Sequence, residues 1–278
     1  MRYRTIEHCL PHYPVRLMCR CLHVSSSGFY AWRSRVLSLR EQDNQRLIKR
    51  IKDLHHESDG VMGSLRIFRE LRYQGERCGK NRIARLMRRC GLQGIPQKKR
   101  WKRRNSGIRP SGVINHLERD FSASEANTKW VTDITYVRTQ EGWLYLCVVV
   151  DLYSSLVVGW SMSQCQDRHL VLQAVLMALW QRKGKSSVIL HSDRGTQFTS
   201  DEYQRFLKQH NVICSMSAVG SCADNAAAES FFGVLKRERV NRQFYKTYAQ
   251  ARSDIFNYIE CFYNPQKRRS RVDNKIVP

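Results

Sequence analysis

The feature that most constrains the fold is an unbroken apolar run of eight residues, Trp143–Val150. A strand that is apolar on both faces has to be covered on both sides, as the central strands of α/β proteins are. The run is much shorter than the roughly 20 residues that a membrane-spanning helix needs. The first residues of the chain lead into no apolar signal segment. We therefore predict a layered α/β domain in a cytoplasmic protein.

The segments around this run alternate between strand patterns and helix patterns. Together with Trp143–Asp151, strands are predicted at Lys129–Val137, Leu156–Met162, Ser187–His191 and Val212–Met216. Helices are predicted at Arg168–Arg182, Tyr203–His210, Asp224–Arg239 and Tyr248–Tyr263. Three neighbouring strands followed by alternating helices and strands predict a mixed five-stranded sheet with helices on both faces, within a domain at residues 116–278.

Positive charge is concentrated in the first part of the chain. Lysine and arginine number 48 against 24 acidic residues, a net charge of +24. Residues 1–120 hold 28 of the basic side chains and 10 of the acidic ones. Such a distribution favours a surface that follows phosphates, because each neutralised phosphate releases a counterion. Nucleic acid is the predicted partner, and a membrane surface is the weaker alternative because no basic amphipathic helix stands out.

Residues 1–95 are predicted to form a helical DNA-binding region of the helix-turn-helix kind. Val15–Leu22 and the segment that follows Ser25 give two short helical patterns around a tight turn, for which a plain helical hairpin is the alternative. Further helices are predicted at residues 41–56, Leu65–Tyr73 and Asn81–Cys90. The last one carries four arginines near one face, which either follow a DNA backbone or are solvated: Arg82, Arg85, Arg88 and Arg89.

A basic linker is predicted at residues 96–115, between the helical region and the α/β domain. Within Lys98–Arg109, seven of twelve residues are basic and none is acidic. Such a segment is expected to become ordered on nucleic acid. Seven of its residues are predicted to contact DNA: Lys98, Lys99, Arg100, Trp101, Lys102, Arg103 and Arg104.

Three carboxylates in the α/β domain are the candidate catalytic residues. Asp133 interrupts a predicted strand, where aspartate is disfavoured. Asp193 follows an apolar strand beside a glycine turn, where open α/β sheets place their chemistry. Glu229 shares a narrow stripe of its helix with Asn225 and Lys236. Taken singly, each carboxylate could instead be a turn residue, a cap or a surface acid.

Carboxylates that converge repel one another unless a cation lies between them. Oxygen ligands in a basic protein favour Mg²⁺ or Mn²⁺ bridging to substrate phosphates. Two such ions can stabilise the attacking and the leaving oxygen of a phosphoryl displacement. Zinc is not expected, because the ten cysteines form no C-x-x-C pair.

Three other polar residues of the α/β domain are interpreted as capping or orienting residues. Asp151 is interpreted as a turn cap and Asp201 as a helix cap. His191 is interpreted as a residue that orients the Asp193 loop by hydrogen bonds, with a proton shuttle as the alternative.

The spacing of the acids resembles that of a known enzyme group. Thirty-five residues separate Asp193 from Glu229, and Lys236 lies seven residues further on. This resembles the D,D-35-E pattern of retroviral-type integrases and transposases. The sequence segments around the acids resemble the motifs of the OrfB transposases of the IS-three group of bacterial insertion sequences. These segments are Lys129–Tyr136, Gly142–Asp151, His191–Phe198, Asp224–Phe232 and Tyr258–Asn264.

The resemblance implies an RNase H-like fold and metal-dependent cleavage and joining of DNA at the ends of an insertion sequence. It implies Asp133, Asp193 and Glu229 as ligands of two ions, and DNA contacts by Asn225 and Lys236. The partners implied are double-stranded terminal repeats and target DNA, an upstream OrfA-type protein or fusion, and further copies of the chain on DNA. A nucleoid-associated location in bacteria follows from these partners.

Two residues depart from the group's pattern. Met62 stands where a tyrosine is usual, and Arg269 stands where a histidine is usual. The tail Arg271–Pro278 also lacks the group's usual ending, which favours a DNA-binding relic or regulator without activity as one alternative to the transposase. A nuclease of the same fold is a second alternative.

Overall fold

The structure is a computed structural model that describes residues 2–96, 123–182, 187–193, 196–216 and 226–276. Within these ranges, no helix is long and apolar enough to cross a membrane. The predicted linker at residues 96–115 lies outside them except for its first residue, so its DNA contacts stay a prediction.

Six helices form the N-terminal region, as two groups with separate cores. Helices α1 (Arg2–His8), α2 (Val15–Cys21) and α3 (Ser26–Arg33) enclose Ile6 and Phe29. Helices α4 (Leu39–Glu57), α5 (Ser64–Tyr73) and α6 (Lys80–Arg89) enclose a larger cluster: Leu47, Ile51, Ile67, Leu71, Ile83 and Leu86. Apart from α1, these helices agree with the sequence predictions to within a few residues.

Five strands form one mixed sheet in the order β3-β2-β1-β4-β5, which confirms the predicted sheet. The strands are β1 (Lys129–Thr139), β2 (Gly142–Asp151), β3 (Val157–Ser163), β4 (Val188–Ser192) and β5 (Val212–Met216). β2 runs antiparallel to β1 and β3, whereas β4 runs parallel to β1 and β5. β4 pairs with β1 at Lys129–Val131, and β1 continues past this pairing to Thr139, which forms a bridge with Tyr245.

Helices cover both faces of the sheet, as the both-sided apolar pattern of β2 requires. One face carries α7 (Arg168–Gln181), the short α8 (Thr196–Thr199) and α9 (Asp201–Gln209). The other face carries α10 (Ala226–Glu238) and α11 (Tyr248–Asn257), followed by a π-helical segment (Tyr258–Tyr263) and α12 (Asn264–Ile276). A Cβ at Gly159 in β3 would lie 2.2 Å from the Ala174 carbonyl oxygen, so glycine permits the close approach of α7.

The C-terminal helices tie the sheet to the N-terminal region. The Asn264 side chain accepts from the Val157 amide (3.0 Å) and donates to the Val157 carbonyl oxygen (2.9 Å) on β3. Arg269 of α12 forms an ion pair with Glu70 of α5. Arg66 of α5 forms an ion pair with Glu238 of α10 at 2.8 Å.

The structure corrects one cap assignment and shows where the two residues that depart from the family pattern lie. The cap of α9 is Ser200, whose hydroxyl accepts from the Tyr203 amide at 3.4 Å, so the assignment of Asp201 as the cap was wrong. Met62, the first departure from the family pattern, is buried in the core of α4–α6. Arg269, the second, fits its position because it pairs with Glu70 and lies 5.2 Å from the centre of the Tyr73 ring.

Candidate active site

Asp133 lies on β1 just beyond the last residue that pairs with β4. Its Oδ1 atom accepts a hydrogen bond from the Ile134 amide at 2.8 Å. Burial raises the pKa of the Asp133 carboxyl to about 6, against the effect of that hydrogen bond. The negative charges of Asp193 and Glu229 raise this pKa further, and the positive charge of Lys236 lowers it. Asp133 therefore lies within electrostatic reach of all three side chains.

The other two carboxylates come from different elements. Asp193 directly follows β4 and is exposed. Glu229 stands in the first turn of α10 and is half-buried. Its neighbours Ala228, Phe231 and Leu235 hold α10 against the sheet. The structure thus places Asp193 and Glu229 within electrostatic range of Asp133, although the three carboxylates are far apart in sequence.

The donor set suits a hard divalent cation in chemistry, since it consists of carboxylate oxygens at a site where like charges accumulate. Among the residues that the structure describes, no three His, Cys, Asp or Glu side chains are grouped closely enough to hold a metal ion together.

Lys236 lies two turns after Glu229 on the same helix and approaches Asp133. Its Nζ atom is 4.8 Å from the centre of the Tyr136 ring. Burial lowers the pKa of Lys236, and the charge of Asp133 acts in the opposite direction. The side chain therefore brings a positive charge to the rim of the carboxylate site.

Two further polar residues, His191 and Asp151, form hydrogen bonds near the ends of β4 and β2. His191 is fully buried, and its Nδ1 atom lies 3.0 Å from the hydroxyl of Ser215, its partner on β5. This hydrogen bond joins two strands, and an orienting role of His191 towards the Asp193 loop stays a prediction. The Asp151 carboxylate accepts from the amides of Asn127 and Ser154, so its interpretation as a turn cap is confirmed.

The predicted DNA-contact residues differ in what they contact. On α6, Arg82 pairs with Asp43 (2.9 Å) and Arg89 with Glu41 (2.6 Å), both on α4. Arg85 and Arg88 are exposed. Asn225 and the basic run Lys98–Arg104 fall outside the described residues. DNA contact by these residues stays a prediction.

Sequence reasoning gave no role to two exposed aromatic residues near the carboxylates. Tyr136 is 55% exposed and Trp143 is 47% exposed, although both lie on strands. The alternation of side chains along β1 could have shown that Tyr136 lies on the opposite face of the sheet from Asp133. It could not have shown that the two rings are exposed to solvent, because that depends on which other elements pack on that face.

Comparison with known families places an integrase core over the carboxylates. The family described as Integrase core domain matches residues 123–222, and a second family with that description matches residues 229–275. A family described as HTH-like domain matches residues 41–100.

Curated relatives are similar over nearly the whole chain. The Transposase InsF for insertion sequence IS3A of Escherichia coli (strain K12) is 43% identical, over 97% of this chain and 94% of its own length. The Insertion element IS600 uncharacterized 31 kDa protein of Shigella sonnei is 37% identical, over 92% of this chain and 94% of its own length.

Solved structures give a weaker likeness. The catalytic domain of Mos1 mariner transposase has a TM-score of 0.43 at 14% identity, covering 51% of this chain and 76% of its own. The HTLV-2 integrase catalytic core domain in complex with magnesium has a TM-score of 0.33 at 23% identity, covering 40% and 68%. Nothing about the site follows from scores this low.

Proposed function

Since this chain belongs to the family of insertion-sequence transposases of the IS3 type, we propose that Asp133, Asp193 and Glu229 are the catalytic residues with which it cuts and joins DNA. Members of this family are polynucleotidyl transferases that carry out DNA transposition, and the sheet has the RNase H-like arrangement. The observation that carries the residue assignment is the effect of Asp193 and Glu229 on the pKa of Asp133. Two acids, from the end of β4 and from α10, thus act on the third acid, on β1.

The proposed reaction consists of two displacements at phosphorus. In the first, water attacks a phosphodiester at the end of the element, a new P–O bond forms, and the bond to the 3′-oxygen breaks. The freed 3′-hydroxyl then attacks a phosphodiester of the target DNA and displaces its 3′-oxygen. Both steps build up negative charge on the attacked phosphate and on the leaving oxygen.

Asp133, Asp193 and Glu229 would hold the Mg²⁺ or Mn²⁺ ions, two of which are expected. When bound, the ions would supply charge stabilisation for the attacking and leaving oxygens. Lys236 would contact a phosphate beside the one that is cut, since its ammonium group lies at the rim of the same site. The exposed arginines Arg85 and Arg88 would bind the DNA backbone away from the site.

The test replaces Glu229 by glutamine. Glutamine keeps the size of glutamate and a similar helix propensity, so α10 is expected to stay folded. We expect Glu229→Gln to abolish cleavage of labelled terminal-repeat DNA in Mg²⁺ and to leave DNA binding equal or slightly stronger, because one repulsion against phosphate is removed. The assay scores binding, nicking and joined products separately, with the upstream partner protein added where the parent requires it.

Glu202→Gln on α9 is the matched control. Glu202 is 46% exposed and pairs on the surface with Arg168, so its loss is expected to leave cleavage within a few-fold of the parent. Near-parent nicking by Glu229→Gln would contradict the assignment of the third carboxylate. Binding without nicking by the parent would favour a DNA-binding regulator, and nicking without joining would favour a nuclease.

A further inference from the structure

One exposed surface of the sheet adjoins the carboxylate site and has no role in the mechanism described above. It consists of Tyr136 and Arg138 on β1 and of Trp143 and Tyr145 on β2, and we call it the aromatic face. In the antiparallel ladder, Tyr136 lies opposite Tyr145 and Arg138 lies opposite Trp143. Alternation along each strand puts all four side chains on the same side of the sheet.

The two outermost rings of the aromatic face form an edge-to-face pair. The centres of the Tyr136 and Trp143 rings are 5.1 Å apart and the rings are inclined by 82°. About half of each side chain is open to solvent, whereas Tyr145 is packed against the core beneath α7. The pair therefore offers ring surface that the described residues leave about half exposed.

A single side chain, that of Lys236, approaches both the aromatic face and the proposed catalytic site. Because β1 continues past β4, the Lys236 side chain can reach both Asp133 and the Tyr136 ring. Asp133 and Tyr136 are three residues apart, about 10 Å along a strand. Asp133 and Tyr136 lie on opposite faces of β1. A phosphate at the carboxylates and a base on the rings would therefore be joined around β1 beyond its pairing with β4, where Lys236 approaches both side chains.

Exposed rings combined with cations are typical of surfaces that bind unpaired nucleic acid. Bases stack on the rings while Lys or Arg contacts the phosphates. Here Lys236 and Arg138 supply the cations at the two ends of the pair. Duplex DNA hides its bases, so a surface of this kind has a use only where the strands separate, and separation costs least where pairing is already lost.

We propose that the aromatic face binds an unpaired base next to the phosphodiester that is cut, by stacking it on Tyr136 and Trp143. This inference rests on the proposed function, because it takes the carboxylates as the place where the phosphate lies. Stacking would hold open the strand end and position the phosphate for attack. Tyr136 and Trp143 are accordingly positioning residues.

The test uses DNA that carries 2-aminopurine, a base whose fluorescence falls when it stacks. One duplex has a short unpaired 3′ tail containing this base, and a second duplex is fully paired. Binding is measured without divalent cations, so that no DNA is cut. We expect the parent protein to quench the tail and to bind the tailed duplex more tightly than the paired one.

Removing either ring should abolish the quenching and weaken binding to the tailed duplex by about ten-fold, within the range measured for single stacked bases. We expect this of Tyr136→Leu and Trp143→Leu, with binding to the paired duplex unchanged. Tyr136→Phe and Trp143→Phe keep a ring and should restore most of the quenching, which a general loss of folding would not allow. Trp180→Leu is the control, because Trp180 is 86% exposed on α7 and lies outside the aromatic face.

Several outcomes would overturn the inference. Leucine variants that quench the tail and prefer it as the parent does would refute stacking while the proposed function stands, provided that they still cut DNA. Leucine variants that change only the size of the protein assembly would show that the face is a contact between copies of the chain. A parent that binds neither duplex would refute the proposed function together with the inference.

Discussion

The ion pair between Arg66 and Glu238 is expected to be among the strongest contacts between the N-terminal region and the α/β domain. The Glu238 side chain is 4% exposed and accepts from Arg66 (2.8 Å) and from the Tyr258 hydroxyl (2.9 Å). Burial and the neighbouring Glu238 carboxylate hold the pKa of Tyr258 well above its usual value, so its hydroxyl remains a donor. Replacing Glu238 by glutamine leaves these donors facing a neutral amide.

The size of the effect can be worked out from burial. Breaking a buried ion pair by removing one partner costs about 3–5 kcal/mol. The Arg66 side chain is 35% exposed, so water can solvate part of its guanidinium group when the partner is lost. We therefore expect Glu238→Gln to lower the free energy of unfolding by about 3 kcal/mol, and the coupling between the two residues to be about 2 kcal/mol.

The assay is a double-mutant cycle by urea denaturation at pH 7. It compares Glu238→Gln, Arg66→Met and the double variant with the parent, following circular dichroism and tryptophan fluorescence. Methionine keeps part of the aliphatic length of Arg66 and removes its charge. The double variant is expected to be about 2 kcal/mol more stable than the sum of the single changes predicts.

The surface pair Arg168–Glu202 is the control for this cycle. Both of its side chains are about half exposed, so the coupling is expected to be below about 1 kcal/mol. A coupling between Arg66 and Glu238 no larger than that of the surface pair would refute the reasoning from burial.

Three further predictions concern other parts of the chain. Arg85→Gln combined with Arg88→Gln should weaken binding to duplex DNA and lower the slope of log K against log salt by about 2, measured by titration at several salt concentrations; an unchanged slope would exclude phosphate contacts by both residues. Gly159→Ala should destabilise the protein by about 1–3 kcal/mol in urea denaturation, because its Cβ would meet a carbonyl oxygen of α7; a parent-like stability would show that α7 can move away. Hydrogen bonding to Arg46 lowers the pKa of Glu76 to about 2, so its contribution is fully present above pH 4.5 and is lost as the pH falls towards 2. Glu76→Gln should therefore cost about 1 kcal/mol at pH 7, and the difference from the parent should vanish in acid; a difference that stays constant with pH would contradict the sign of the shift.

The strands could be predicted because their sequences carry the signal themselves. Trp143–Asp151 is apolar on both faces and proved to be the second strand of the sheet, covered on both sides. Asp133 could be singled out because it interrupts a strand, Asp193 because it follows a strand, and Glu229 by its stripe of the helix, together with the resemblance of their surroundings. The approach of Asp193 and Glu229 to Asp133 could not be derived from spacing alone, since it depends on the order of the strands.

What was missed depends on contacts between distant parts of the chain. Helix α12 is rich in basic residues and has no apolar period, so nothing local marks it as a helix. It continues the helical path of α11 and is held by the contacts of Asn264 with Val157 and of Arg269 with Glu70. The exposure of Tyr136 and Trp143 likewise depends on which other elements pack on that face of the sheet, which no residue pattern within β1 or β2 reveals.

The contact between Asn264 and Val157 also bears on how the protein behaves at high concentration. β3 is an outer strand of the sheet, and the outward peptide groups of such strands can pair with strands of other molecules. The Asn264 amide presents one donor and one acceptor to the peptide of Val157, as a neighbouring strand would. The Asn264 side chain thus occupies the hydrogen-bonding position at the first residue of β3 where a strand of another molecule would pair. Pairing between molecules is therefore blocked at that end of β3.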